Sequence, residues 1–183
     1  MDMTRRTLIW PVVAFVVLIV ELGATIGTVT GDPFTPAAGW GPTRPVDALA
    51  FAMVVLGCVA LASFARFPLT STLIATASYV VFIVRDHELG MFLPPMVAVL
   101  GLAAWARHRL AAMLCALASL AAAAIWVGHR TASIADSGVA LLSWVAFGTV
   151  LAVFFLGPLL VGEIVRARSE LREARASADV ARA

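Results

Sequence analysis

The residues able to do chemistry are few, and they lie far apart along the chain. Glu21 is the one carboxylate inside a long apolar stretch. An ionisable side chain at mid-bilayer depth costs about 3 kcal/mol or more, so such a group is retained either for a partner or for a function. Two readings stay open for it. In one, Glu21 bonds to a neighbouring helix or reaches the interface; in the other, it takes part in ligand or proton sensing. Asp86, His87 and Glu88 stand in a row between two apolar stretches, and His129 and Asp136 stand between two others. Carboxylates with imidazole are the chemistry of divalent-cation binding or of a response to pH near neutrality. Their spacing fits no metal signature, and short polar loops collect such residues in any case. No metal and no cofactor is therefore expected.

Catalysis has no foothold. The chain has no glycine loop to cradle phosphate, no His-Glu-x-x-His pair and no Gly-x-Ser-x-Gly elbow. Its three histidines, His87, His108 and His129, are far apart, and His108 sits between Arg107 and Arg109 as part of a basic anchor. No catalytic residue is expected.

These residues must be positioned by elements that lie in lipid. Of the 183 residues, 62% are hydrophobic and only 13% charged, where a soluble domain carries roughly a quarter charged. The apolar residues run in long blocks rather than in stripes, the pattern of segments solvated by hydrocarbon. Such a chain is neither a soluble enzyme nor a nucleic-acid binder. All 13 basic residues are arginine. Cys58 and Cys115 fall within apolar blocks and read as core residues.

Six spans are expected, at 8–29, 46–65, 69–84, 91–106, 110–127 and 139–161, forming an all-α helix bundle over 1–161. The first, second, fifth and sixth are long enough to cross; the third and fourth are short, and Pro94-Pro95 shorten the fourth further. With the N-terminus inside, ten arginines fall to the inner side and three (Arg44, Arg85, Arg130) to the outer. That bias places both termini in the cytoplasm of a bacterial inner membrane. Asp32, Asp47, Asp86, His87, Glu88, His129 and Asp136 then share the outer side. Gly23 and Gly27 form a small-xxx-small pair suited to close helix packing.

From 162 to 183 the character changes to a charged helix. Ile164, Ala167, Leu171, Ala174, Ala178 and Ala181 recur at alternating spacings of three and four, a heptad seam. Arg166 with Glu170, and Arg175 with Asp179, are spaced to pair at i,i+4. Gly157-Pro158 interrupts the sixth span just before this tail, where a kink would turn a change in the bundle into a movement of the helix. Gly157, Pro158, Ile164 and Leu171 are the candidate relay residues.

The arginine-bearing start, the short-looped spans and above all the tail Gly-Glu-Ile-Val-Arg-Ala-Arg-Ser-Glu-Leu-Arg-Glu-Ala-Arg-Ala resemble the N-terminal membrane region of actinobacterial two-component sensor histidine kinases. The resemblance is to the branch related to nitrate-responsive and lipid-fluidity sensors. It covers the whole chain in layout and is residue-specific over 162–183. In that family a similar helix joins the last span to the dimerisation helix that carries the phospho-accepting histidine. The chain stops where that motif would begin, so no kinase activity is expected of it and no catalytic residue carries over. The resemblance implies a membrane-embedded input module and a homodimer through the C-terminal helix. A cytoplasmic kinase core and a response regulator would be its partners in a full-length protein. The alternative is a stand-alone small membrane protein serving as a transporter, scaffold or assembly subunit.

Overall fold

The computed structural model describes residues 3–32, 34–88, 90–105 and 108–180. Among these described residues it is all-α, with six helices: α1 (Met3–Thr30), α2 (Ala48–Ala62), α3 (Pro68–Val84), α4 (Leu93–Trp105), α5 (Arg109–Thr131) and α6 (Ser137–Val180). Successive helices run in opposite directions. One end of the bundle therefore gathers the loops 31–47, 85–92 and 132–136, and the other gathers the turns at 63–67 and around His108. Helix α4 lies at the centre, packed on α3, α5 and α6 and touching α1 and α2; α1 leans mainly on α2, and α6 on α4 and α5.

Among the described residues three helical stretches are long and apolar enough to cross a membrane: Leu8–Thr30, Arg109–Thr131 and Ser137–Ser177. The expectation of six spans is thus corrected in its lengths, and the second stretch is the clearest case. Instead of 46–65, helix α2 has 15 residues, about 22 Å at 1.5 Å per residue. The reason is local. Ser63 folds its hydroxyl onto the carbonyl of Ala60, the amides of Phe64, Arg66 and Phe67 close turns behind it, and Pro68 starts the next helix in the first-turn position where a missing N–H costs nothing. Helix α4 starts at Leu93 rather than at position 91, because Met91 takes a left-handed backbone (φ 63°); Ala106 lies outside the described residues. Apolar length therefore overstates helix length wherever a turn is itself apolar.

The sixth span and the tail are a single helix. Helix α6 has 44 residues and passes through Pro158 without ending; positions 181–183 lie outside the described residues. Its Arg166–Glu170 pair forms, at 3.6 Å, whereas the side chain of Asp179 is outside the described residues. Gly162 is where α6 meets α4. A Cβ there would stand 2.6 Å from the Ala103 Cβ and 3.0 Å from the Leu100 carbonyl oxygen, so only glycine permits this crossing.

The core is formed by Leu61, Tyr79, Ile83, Leu102, Leu151 and Phe155, all essentially without solvent access, with the Tyr79 ring 5.2 Å from that of Phe155. Cys58 and Cys115 are free thiols buried in it. Gly23 and Gly27 do not pack as expected: a Cβ at either meets nothing within 4 Å, so this face of α1 is turned away from the bundle.

Candidate functional site

The polar residues converge at the loop-rich end. Here the chain must pass from the 31–47 segment into α2, from α3 into α4 and from α5 into α6, and three arginines tie the passages together. Arg130 closes the last turn of α5, a favourable place for a cation at a helix C-terminus. Its side chain is 3% exposed. The guanidinium donates to the Pro42 carbonyl, to the Asp86 carbonyl at 3.0 Å and to the Asp86 carboxylate at 2.5 Å, and it lies over the Trp126 ring. Arg85, at the C-terminus of α3, donates to the Asp47 carboxylate at 2.6 Å, and Arg44 approaches the same oxygen at 3.4 Å.

Asp47 is itself the N-cap of α2, accepting from the Ala50 amide at 2.9 Å. That backbone bond, with the Arg85 guanidinium next, holds its carboxyl below the usual aspartate range. A depressed folded-state value contributes stability that is complete above the unfolded pKa, about 3.9, and is lost as pH falls through the folded one. The stability difference between the wild type and Asp47→Asn is accordingly expected to stay constant from neutrality down to about pH 4 and to close only below it. Thermal unfolding in detergent across a pH series checks this; a gap that closes near pH 6 would point to a different titrating group.

His87 is completely buried at the centre of the knot. Its carbonyl accepts from the Trp126 indole at 3.0 Å, its Nδ1 lies 3.4 Å from the Arg44 carbonyl, and its Nε2 faces the Asp47 carboxylate at 3.9 Å without a hydrogen-bond partner. A backbone bridge joins the same residues, with the Arg44 amide donating to the Asp86 carbonyl at 2.8 Å. Glu88 accepts from the Phe34 amide at 2.6 Å. Gly39, with φ 83°, supplies the left-handed turn that lets Trp40 insert, its ring centroid 5.0 Å from Phe147 and 6.0 Å from Trp126.

Glu21 lies deeper, 4% exposed. Its two carboxylate oxygens accept from the amides of Met91 at 2.9 Å and Leu93 at 2.8 Å. The first turn of a helix normally leaves amides without partners. In α4 that problem is solved completely: Leu93 is taken by Glu21, Pro94 and Pro95 carry no N–H, and Met96 donates to Phe92. Of the two readings of Glu21, the geometry matches the bond to a neighbouring helix. Glu21 is a cap supplied from another helix, and it also holds the left-handed Met91.

The candidate sensing residues therefore separate. Asp86, His87 and Glu88 belong to one cluster, and Glu21, on α1, bonds to Met91 and Leu93 just beyond it. His129 is exposed and stands apart. Asp136 caps α6, accepting from Gly138 and Val139, and contacts none of the others. Among the relay candidates, Gly157 and Pro158 lie within the unbroken α6, and Ile164 and Leu171 are exposed on it. Among the described residues no group of three or more histidines, cysteines and acids is disposed to hold a metal ion.

Sequence reading missed Arg44, Arg85, Arg130 and Trp126 as site residues, and gave Asp47 a place on the outer side but no partner. A signal for the arginines was nevertheless present. They are the three that depart from the positive-inside bias, and each is found bonded to an acid or a carbonyl of this cluster. Comparison with protein-family models, with characterised proteins and with solved structures finds no match.

Proposed function

We propose that the chain is the membrane-embedded input module of a two-component histidine kinase, relaying a change at the loop-rich end or in the bilayer to a cytoplasmic helix. The observation that carries this reading is α6, one helix of 44 residues that leaves the bundle after Gly162 and continues with its heptad positions uncovered. A helix rigid across that boundary transmits rotation or tilt, which a loop would absorb.

The mechanical path is short. A stimulus that loosens the Arg130–Asp86 and Arg85–Asp47 pairs frees the C-terminal end of α5. Because α5 and α4 form the surface on which α6 rests, α6 then shifts. The salt bridge from Arg109 to Glu163, at 2.6 Å, ties the start of α5 to α6 at the opposite end. The finer topology belongs to the same proposal: all six helices cross, both termini are cytoplasmic, and the short α2, α3 and α4 are matched by locally thinned bilayer, supported by the arginine bias. The transporter alternative has less behind it, since Glu21, the carboxylate a carrier would use, already accepts two backbone bonds.

Joining the chain in frame to a histidine-kinase core, with insertions of one to seven residues after Ser177, tests the reading. Autophosphorylation is expected to rise and fall with a seven-residue period, because each inserted residue rotates the output by about 100°. Thiol labelling in sealed vesicles should place Ser177→Cys inside and Ala135→Cys outside. An output indifferent to insertion phase, or Ser177→Cys on the outer face, overturns the proposal.

A further inference from the structure

We infer that Trp40 is a latch: this one indole holds the segment 34–47 in the bundle, and its insertion or withdrawal acts directly on α6. The inference deepens the input-module reading by naming the contact through which the loop-rich end reaches the output helix, and it rests on that reading only for the output.

The segment has no other anchor in the core. Among the described residues from 31 to 47, Trp40 is the only one buried. The remainder lies across the end of the bundle, bonded to loops and helix ends. The Phe34 amide donates to Glu88, the Gly41 amide to the Arg130 carbonyl and the Arg44 amide to the Asp86 carbonyl. Trp40 differs from all of these because it reaches α6. Its ring lies 5.0 Å from that of Phe147, which Phe34 meets edge-on at 5.9 Å. Two aromatic side chains of the segment thus bear on one residue of α6, without passing through α5.

The backbone that carries the ring is pressed against the connection leading into α6. The Trp40 amide closes a turn on the Ala37 carbonyl at 3.1 Å, with Gly39 at the third position, where a positive φ calls for glycine. A Cβ at Gly39 would stand 3.1 Å from the Ser133 carbonyl oxygen and 3.3 Å from the Ile134 Cα. The Ser133 hydroxyl donates to the Gly39 carbonyl at 2.9 Å.

The inserted ring is nevertheless held incompletely. Trp40 is 7% exposed, yet among the described residues no group accepts from its indole N–H. Its neighbour Trp126 does have an acceptor, the His87 carbonyl. A buried donor without a partner offsets much of what the burial of the ring contributes. At a membrane–water boundary the same side chain keeps its ring in an apolar layer and its N–H in water. The withdrawn position thereby comes close in free energy to the inserted one, and such a balance is what a latch requires.

The test is hydrogen exchange of the 34–47 amides in the full chain in detergent, followed by the kinase fusion. Trp40→Phe keeps a ring and removes the unbonded N–H, so exchange at the Gly41 amide is expected to slow about fivefold. Trp40→Ala removes the ring and should speed it about tenfold, with the Met91 and Leu93 amides unchanged. In the fusion the two variants are expected to move autophosphorylation in opposite directions. A Cβ at Gly41 would stand 3.3 Å from the Ser133 hydroxyl oxygen, close enough for Gly41→Cys and Ser133→Cys to join as a disulfide. Oxidised, that pair should shift the output in the direction of Trp40→Phe, and reductant should reverse it. Exchange that is equal in the wild type and both Trp40 variants overturns the inference. So does a phase-dependent output that neither the variants nor the disulfide alter. Exchange that changes as expected, alongside an output indifferent to insertion phase, supports the latch and removes the signalling reading.

Discussion

Replacing Glu21 with leucine is expected to destabilise the bundle by about 3–4 kcal/mol, the largest effect of any single substitution considered. The volume is nearly conserved, so the loss is one of hydrogen bonding. Two buried amides, those of Met91 and Leu93, would lose their acceptor, and each buried donor left without a partner costs about 1–3 kcal/mol. Neither can turn to an alternative, because the prolines that follow fix the backbone of the first turn. Glu21→Gln should lose about half as much, since a carboxamide presents one acceptor oxygen and sets its own N–H groups against the second amide. Unfolding in detergent, followed by tryptophan fluorescence, measures the difference, and amide exchange at Met91 and Leu93 shows where it arises. A Glu21→Leu protein as stable as the wild type would remove Glu21 from its capping role.

Arg130→Met is expected to cost about 2–4 kcal/mol and to release the 34–47 segment. The guanidinium serves two carbonyls and a carboxylate from two different parts of the chain, Pro42 and Asp86. Removing it takes the buried donor from the Pro42 carbonyl and the ion-pair partner from Asp86, whose carbonyl keeps the Arg44 amide. Lysine should recover less than half of the loss, since a single ammonium cannot reproduce the planar fork that reaches Pro42 and Asp86 together. Limited proteolysis reports the loop directly: cleavage between Phe34 and Asp47 should appear in Arg130→Met and be absent from the wild type. If the loop stays protected and the melting temperature is unchanged, the cluster is not what holds this end closed.

The two residues show why the site was only half visible beforehand. Glu21 stood out because a carboxylate in an apolar stretch is anomalous by itself. Its partners lie 70 and 72 positions away and are backbone amides, which have no signature in a sequence. Arg130 lacked even that first anomaly, since an arginine at the end of an apolar run is ordinary. Only its place on the arginine-poor side marked it. His129 and Asp136 show the converse, looking as promising as Asp86 while the fold leaves one exposed and uses the other as a helix cap.

What the amino-acid sequence determined by itself is the class of the molecule: helices, apolar enough for lipid, with the charged tail continuing the last of them. Those properties depend on composition and on spacings of three and four, which are local and additive. The fold alone decided where the helices end, which amides Glu21 serves and which acids the three stray arginines meet. Each of these depends on which distant surfaces come together. Close packing leaves one arrangement in which Gly162 admits α6 against α4 and every donor at the start of α4 is satisfied.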